Sequence, residues 1–328
     1  MLENKTFSIS VFLIGGTLTD LSFFDFSCAN CQILPVESKK FEVLSQQFHA
    51  LNNDHHYSLK NILRAEASDK RSGHHDIAHV LLPIDFYKPV DIFVSRDCIN
   101  LINLLYPSDL QIMCESKFLL KGGDNLEWQY SSVYQFYRSN GNYDNYFDFT
   151  YLPEIVNVNS FTLLYFQRIS QLKYVRMAFD AYLSSFGPIP IHMSLISLCI
   201  SMEAVVDGTA ELIYRMRRTM ALICGRDQDH GKLIYKNIKL IYNLRSSIVH
   251  GKEVNYDLLN DYLPYLKCII SNLIKNLIYL NIDTPEKLQE RLVFVGFESW
   301  ASDMGKPTSV KQINSLNDDA TKIELRSK

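Results

Sequence analysis

Lys232-Leu-Ile-Tyr-Lys-Asn-Ile-Lys-Leu-Ile-Tyr-Asn-Leu-Arg-Ser-Ser-Ile-Val-His-Gly251 reads as one helix that closes at its glycine. Stepping about 100° per residue from Ile234, Ile238, Ile241 and Ile248 fall within about 40° of it and form one narrow apolar stripe. Arg245 falls at about 20°, in the middle of that stripe. Lys232, Lys236, Lys239 and Asn243 lie on the opposite side, facing water. A cation therefore stands where the pattern wants a hydrophobe, and a guanidinium on a buried face is expensive unless paired and hydrogen-bonded. With histidine counted neutral, Glu203 is the only charge in the apolar run Ile191 to Val206 and is the first candidate partner; Glu211 is the second. His250 sits at the helix end, where a following glycine commonly turns the backbone out of the helix. Its imidazole is free to swing towards the arginine or out towards a partner.

The neighbouring segments are helical as well. Apolar positions recur at helical spacing from Ser160 to Phe186, ending at Gly187-Pro188. Ile191 to Val206 is a second helix, Thr209 to Cys224 a third, and Tyr256 to Ile282 a fifth, kinked at Pro264. Thr284-Pro285-Glu286 starts a short sixth, with an N-cap and proline at the first helical position. Beyond Ser302 the chain turns polar and a frayed tail is expected.

Ahead of Pro153 the character differs. Ser8 to Ile14, Phe41 to Leu44, Ile77 to Leu82, Leu110 to Leu119 and Leu126 to Tyr137 are short β-branched or aromatic runs, expected as strands. Gly15-Gly16, Gly122-Gly123-Asp124 and Asn140-Gly141-Asn142 punctuate them as turns, and Ile92 to Leu105 interrupts as a helix. The polar, His-rich stretch Asn52 to Ser72 reads as an exposed loop. The expectation is an α+β chain: a β-rich mixed domain over 1–155, an all-helical bundle over 156–301 and a polar tail over 302–328.

Hydrophobic residues make up 47% of the 328, so both halves can bury real cores. The formal net charge of −3 supplies no global field to attract nucleic acid, so any RNA contact must be local. From Thr209 to Val254 there are nine Lys or Arg against four Asp or Glu, which makes Arg215, Arg218, Lys236 and Lys239 candidate phosphate contacts. A solvated helix face is the competing explanation of the same charges. No uninterrupted apolar stretch reaches the roughly 18 residues a spanning helix needs, so no membrane partner is expected. Seven scattered cysteines point to reduced thiols and a cytoplasmic setting.

Leu244-Arg-Ser-Ser-Ile-Val-His-Gly251, preceded by Ile241-Tyr-Asn, resembles the R-x4-H signature of HEPN domains, and within them the Apea-like group. Ser201-Met-Glu-Ala-Val-Val206, Glu211-Leu-Ile-Tyr-Arg215 and Thr219 to Gly225 are similar to that group's helices in order and spacing, over roughly residues 160 to 290. The resemblance implies a metal-independent endoribonuclease acting as a homodimer with both R-x4-H motifs on one cleft. A 2′-hydroxyl of the RNA would attack the adjacent phosphorus and leave a 2′,3′-cyclic phosphate. In that chemistry His250 is general base or acid, Arg245 holds the phosphate, Ser246 orients the histidine or binds phosphate, and Glu203 positions Arg245. Neither metal nor cofactor is expected. The group's association with antiphage defence and abortive infection implies a phage-derived trigger or ligand at the N-terminal domain. The alternative is a non-catalytic HEPN module for dimerisation and RNA or ligand binding, with Arg245 and Glu203 a structural pair and His250 a helix cap. Some HEPN toxins carry a tyrosine two residues past the histidine for modification by a partner enzyme; Lys252 stands there, which speaks against that regulation.

Cys28-Ala-Asn-Cys31 has the spacing of a zinc half-site, but no second half accompanies it nearby. His74, His75, Asp76 and His79, with His55 and His56, suggest an exposed polar loop ahead of a metal site. Gly15-Gly16-Thr17 and Lys121-Gly122-Gly123 lack the spacing and following Lys-Ser/Thr of a phosphate loop and are taken as hairpin turns.

Overall fold

The structure, a computed structural model, describes residues 7–15, 19–47, 49–52, 55–58, 77–88, 90–108, 110–121, 125–133, 155–187, 189–206, 211–253, 255–293, 295, 314 and 317–326. The fold is α+β, and the chain divides into two compact units, 1–103 with 108–137 and 143–163, and 104–107 with 138–142 and 164–328. No described helix is long and apolar enough to cross a membrane.

In the first unit, β1 (Phe7–Gly15), β2 (Cys31–Pro35), β5 (His79–Pro83), β6 (Gln111–Lys121) and β7 (Asn125–Val133) form an antiparallel sheet in the order β2-β5-β1-β6-β7. Alternation sends Ile9, Val11 and Leu13 to one face, where they meet Leu34, Val80, Leu82, Phe118 and Phe41. Phe41 belongs to α1 (Lys39–Gln47), where a strand was expected. The Ser38 hydroxyl accepts from the Phe41 amide at 3.2 Å and caps this helix, while Phe41 and Ser45, one turn apart, are both buried. The opposite face carries Ser10, Phe12 and Glu115. There α2 (Ile92–Leu105) is tied down by Arg96, which donates to the buried Glu115 carboxylate at 3.2 Å.

β6 and β7 pair antiparallel up to Lys121 and Asn125, and the turn residues Gly122-Gly123 lie outside the described residues. β1 pairs with β5 and β6 rather than with the strand that follows it, so no hairpin joins β1 to β2 at Gly15-Gly16. A small ladder of β3 (His49–Asn52) and β4 (His55–Ser58) runs into the stretch Asn52 to Ser72 expected as a loop. Residues 59–76, with His74, His75 and Asp76, lie outside the described residues, as do 134–154. His79 is not a loop residue. It is fully buried, Nε2 accepts from the Leu21 amide at 2.9 Å, and Nδ1 therefore carries the proton and donates to the Ile77 carbonyl at 3.1 Å.

The second unit is helical: α4 (Lys173–Ser184), α5 (Ile191–Glu203), α6 (Leu212–Cys224), α7 (Gln228–Val249), α8 (Tyr256–Leu280), α9 (Pro285–Val293) and α10 (Asp318–Thr321). The single helix expected from Ser160 to Phe186 is two, because α3 (Ile155–Arg168) ends in a turn that buries both Ile169 and Leu172 before α4 starts. The boundary between the units falls within α3, at Leu163. Helix α8 continues through Pro264, and every residue from Cys268 to Ile278 is buried. Asp227 caps α7 through the His230 amide at 2.8 Å, and Thr284 caps α9, with Pro285 in its first position.

Residues 317–326 do not fray; they lie as a strap over α7 and α8. Asn237 brackets the strap backbone as a neighbouring strand would, donating to the Ile323 carbonyl at 2.8 Å and accepting from the Leu325 amide at 3.2 Å. Tyr262 donates to the Arg326 carbonyl, and His230 Nε2 donates to the Thr321 carbonyl at 3.1 Å. Burial is the main cause that holds both His79 and His230 below the ordinary imidazole range. A depressed histidine keeps the native state neutral while the unfolded chain takes up the proton. This contribution is complete above about pH 6.5 and is lost progressively as pH falls from there through the lowered native value. Thermal denaturation is expected to shift to lower temperature between about pH 7 and about pH 5. His230→Gln, whose amide keeps a donor for Thr321, should show a smaller shift, and an equal one would rule out the neutral ring as a cause.

Candidate functional site

Glu203 is the last residue of α5, and Arg245 lies one turn from the end of α7. The apolar stripe of α7 packs Ile234, Ile238 and Ile241 at full burial, which leaves Arg245, next along it, facing α5. The Arg245 guanidinium is 3.3 Å from Glu203 Oε1, and each side chain keeps 25% exposure. The pair is an ion contact without hydrogen-bond alignment: Arg245 Nε and Glu203 Oε1 have no hydrogen-bond partner among the described residues. Tyr242, one turn before Arg245, completes the cluster. Its ring lies 5.3 Å from the guanidinium carbon, and Glu203 helps to hold its hydroxyl above the ordinary phenol range, after burial as the main cause. The sequence reading gave Tyr242 no role, although its position three residues before the arginine puts it on the same face.

The end of α7 is a full Schellman closure. Gly251 has φ +70, its amide donates to Ile248 at 3.0 Å, and the Lys252 amide reaches back to Ser247 at 3.0 Å. This turn leaves His250 as the exposed C-cap, with its own amide bonded to the Ser246 carbonyl at 3.1 Å and its imidazole unbonded among the described residues. Ser246 is half-buried between the two. The site thus holds a partly accessible guanidinium, a hydroxyl and an exposed imidazole on the last turn of one helix. These are the groups needed to bind a phosphate and move a proton beside it. No group of three or more His, Cys, Asp or Glu among the described residues is placed to hold a metal ion.

The other expected residues are not brought to this site. Glu211 is exposed at the start of α6 in a left-handed conformation, φ 55, and forms no ion pair with Arg245 among the described residues. Arg218 donates to the carbonyls of Val293 and Val295, closing the end of α9. Arg217, on the same helix, donates to the Tyr235 carbonyl and stacks on that ring at 3.7 Å. Lys236 pairs with Glu324 of the strap, and it lies about 180° around α7 from Arg245. Lys239 is exposed but about 120° away. Arg215 is half-buried on α6. The basic residues of this segment therefore do not form one surface with Arg245.

Exposed apolar side chains flank the ion pair instead. Ile200, at 44% exposure, is one turn before Glu203, and Val249, at 52%, is one turn after Arg245. Met193 extends the exposed line along α5, and Tyr256 opens α8 at 58% exposure. No protein-family model, curated protein or solved structure matches the chain.

Two substitution sets probe this geometry. Glu203→Ala alone leaves a half-buried guanidinium without its counter-charge and should lower stability by about 1–3 kcal/mol. Combined with Arg245→Ala the loss should be less than additive in urea denaturation, and strict additivity would show that the two do not couple. An added Cβ at Gly251 meets nothing within 4 Å, so only its positive φ resists substitution. Gly251→Val is expected to cost about 1–2 kcal/mol and Gly251→Asn clearly less, as read by thermal denaturation. Equal losses would contradict a backbone cause.

Proposed function

We propose that the second unit is a HEPN-type, metal-independent endoribonuclease whose working groups are Arg245 and His250. The observation that carries this reading is the pairing of a partly accessible Arg245, held against Glu203 and beside the Tyr242 ring, with an exposed, uncommitted His250 on the closing turn of the same helix. A purely structural arginine would be fully paired, and a purely structural cap would direct its ring into the protein. Arg245 binds the scissile phosphate and offsets charge on its oxygens. His250 takes the proton from the 2′-hydroxyl, the 2′-oxygen bonds to phosphorus, and the bond to the 5′-oxygen breaks. A second His250 from another copy protonates that leaving oxygen, giving a 2′,3′-cyclic phosphate.

The apolar line Met193, Ile200 and Val249 beside the ion pair fits a homodimer that would bring two such pairs to one cleft. Phosphate contacts are better sought at Lys252, exposed beside His250, than at Arg218 or Lys236, which are occupied within the unit. On this reading the protein is cytoplasmic and serves antiphage defence, with the first unit receiving a phage-derived trigger or ligand. The rival reading is a non-catalytic HEPN module for dimerisation and RNA or ligand binding. The internal use of Arg217, Arg218 and Lys236 favours it, because it removes charge from the nucleic-acid side.

Purified protein incubated with total cellular RNA in EDTA separates the two. Cutting to cyclic-phosphate ends by the wild type is expected, with a loss of at least about a hundredfold in folded Arg245→Ala and His250→Ala. Equal activity in all three would remove the assignment. A wild type that is dimeric and binds RNA, yet stays inactive with phage-infected extract added, would establish the rival.

A further inference from the structure

The C-x2-C pair of the first unit belongs to a cluster of three thiols. Cys28 lies in the 3-10 turn Ser27–Ala29, is exposed, and lines an open cavity of about 480 Å³ together with Asn30, Asp91 and Val94. Asn30 follows in a left-handed conformation, φ 53, and reverses the chain so that Cys31 opens β2. Cys31 is 1% exposed and falls on the α2 side of the sheet, by alternation with Leu34. Its Sγ is 3.8 Å from Ser95 Oγ. Cys98 stands one turn further along α2, fully buried, with its Sγ 3.5 Å from the Val94 carbonyl. Ser95 and Cys98 are one turn apart on the face of α2 that Cys31 meets, so Cys31 and Cys98 share one buried site, and Cys28 stands three residues before Cys31 across the reversal at Asn30. One accessible thiol thus stands before a buried pair that joins a strand to a helix.

We propose that Cys28, Cys31 and Cys98 form an oxidant-responsive relay in which a hydroperoxide captured at Cys28 ends as a buried Cys31–Cys98 disulfide. The Cys28 thiolate attacks a peroxide oxygen. A sulfur–oxygen bond forms, the oxygen–oxygen bond breaks, and the departing alkoxide or hydroxide takes a proton, leaving a sulfenic acid. The Cys31 thiolate then attacks the Cys28 sulfur and expels hydroxide, which is protonated to water. Finally the Cys98 thiolate attacks the Cys31 sulfur, and Cys28 leaves as thiolate and regains its proton. The net change is two thiols and one hydroperoxide to one disulfide, one alcohol or water from the peroxide, and one further water. Neighbouring Cys98 and then Ser95 hold the Cys31 thiol below the ordinary range, while burial raises the thiols of Cys28 and Cys98, so Cys31 ionises most readily of the three and the capture step at Cys28 sets the rate. The arrangement separates capture from storage. Cys28 meets solvent, and the stored disulfide lies where reducing thiols reach it slowly. It involves the first unit alone and does not depend on the ribonuclease reading.

The test is peptide mass spectrometry on the full chain, treated with hydrogen peroxide, denatured and alkylated. The wild type should yield a Cys31–Cys98 disulfide with Cys28 alkylated, reversible by dithiothreitol. Cys98→Ser should stop at a Cys28–Cys31 disulfide, and Cys28→Ser should form the Cys31–Cys98 bond at least about tenfold more slowly. Over-oxidation of Cys28 with Cys31 and Cys98 both still alkylated would overturn the proposal in the wild type itself. Undiminished disulfide formation in Cys28→Ser would overturn the relay.

Discussion

Burying α8 on every side is the constraint on which the second unit depends. From Cys268 to Ile278 no residue of this helix reaches solvent, yet Ser271, Asn272, Lys275 and Asn276 fall within the run. A buried polar group without a partner costs more than its hydrogen bond contributes, so each of these selects what packs against it. Asn276 donates to the Ile223 carbonyl at the end of α6. Ser271 and Asn272 receive the Asn317 amide of the C-terminal strap, and Asn314 donates to Asn276. Lys275 has the Leu105 carbonyl at 3.3 Å, and burial brings its pKa down to about 7. Residues 314 and 317–326 of the polar tail are therefore part of the bundle, because they supply partners that the helices alone do not.

That arrangement decides where α7 ends. Its first half is clamped by the strap through His230 and Asn237 and packs on α6. Its last turns meet the end of α5, where burial falls off. Arg245 thus lies where a guanidinium keeps contact with water and is still held by protein. Closing the helix at Gly251 commits its last carbonyls to backbone partners, so His250 has no capping duty for its ring. The same basic segment that looks continuous in sequence is split by this geometry. Arg217 and Arg218 serve α7 and α9, Lys236 serves the strap, Lys232 and Lys239 face solvent elsewhere on α7, and Lys252 alone of the exposed cations stands beside His250 in sequence.

The first unit is held by a different logic. Its sheet is buried on both faces at β1, so Val11 and Phe12, pointing opposite ways, are equally inaccessible. On the α2 side, among the described residues, Glu115 is tied to Arg96 and Ser10, and Cys31 to Ser95. This makes the thiol cluster part of how the helix is seated, and a bond formed there would fix β2 against α2.

Periodicity and capping residues by themselves determined the α+β division, the helix Ile92–Leu105, the start of α9 at Thr284-Pro285, the turn at Gly251 and the pairing of Arg245 with Glu203. These rest on local geometry, or on two isolated charges in two apolar helices that had little else to meet. The sequence misassigned Phe41 to a strand and Ser160–Phe186 to one helix, because short apolar runs fit either period until their packing partner is known. Only the tertiary structure decided that Glu211 stays apart from Arg245, that Arg218 and Lys236 are occupied, that Tyr242 joins the site and that the tail is a strap. Each of these depends on residues far apart in the chain meeting across a packed core, and helical phase on one element carries no information about the face presented by another.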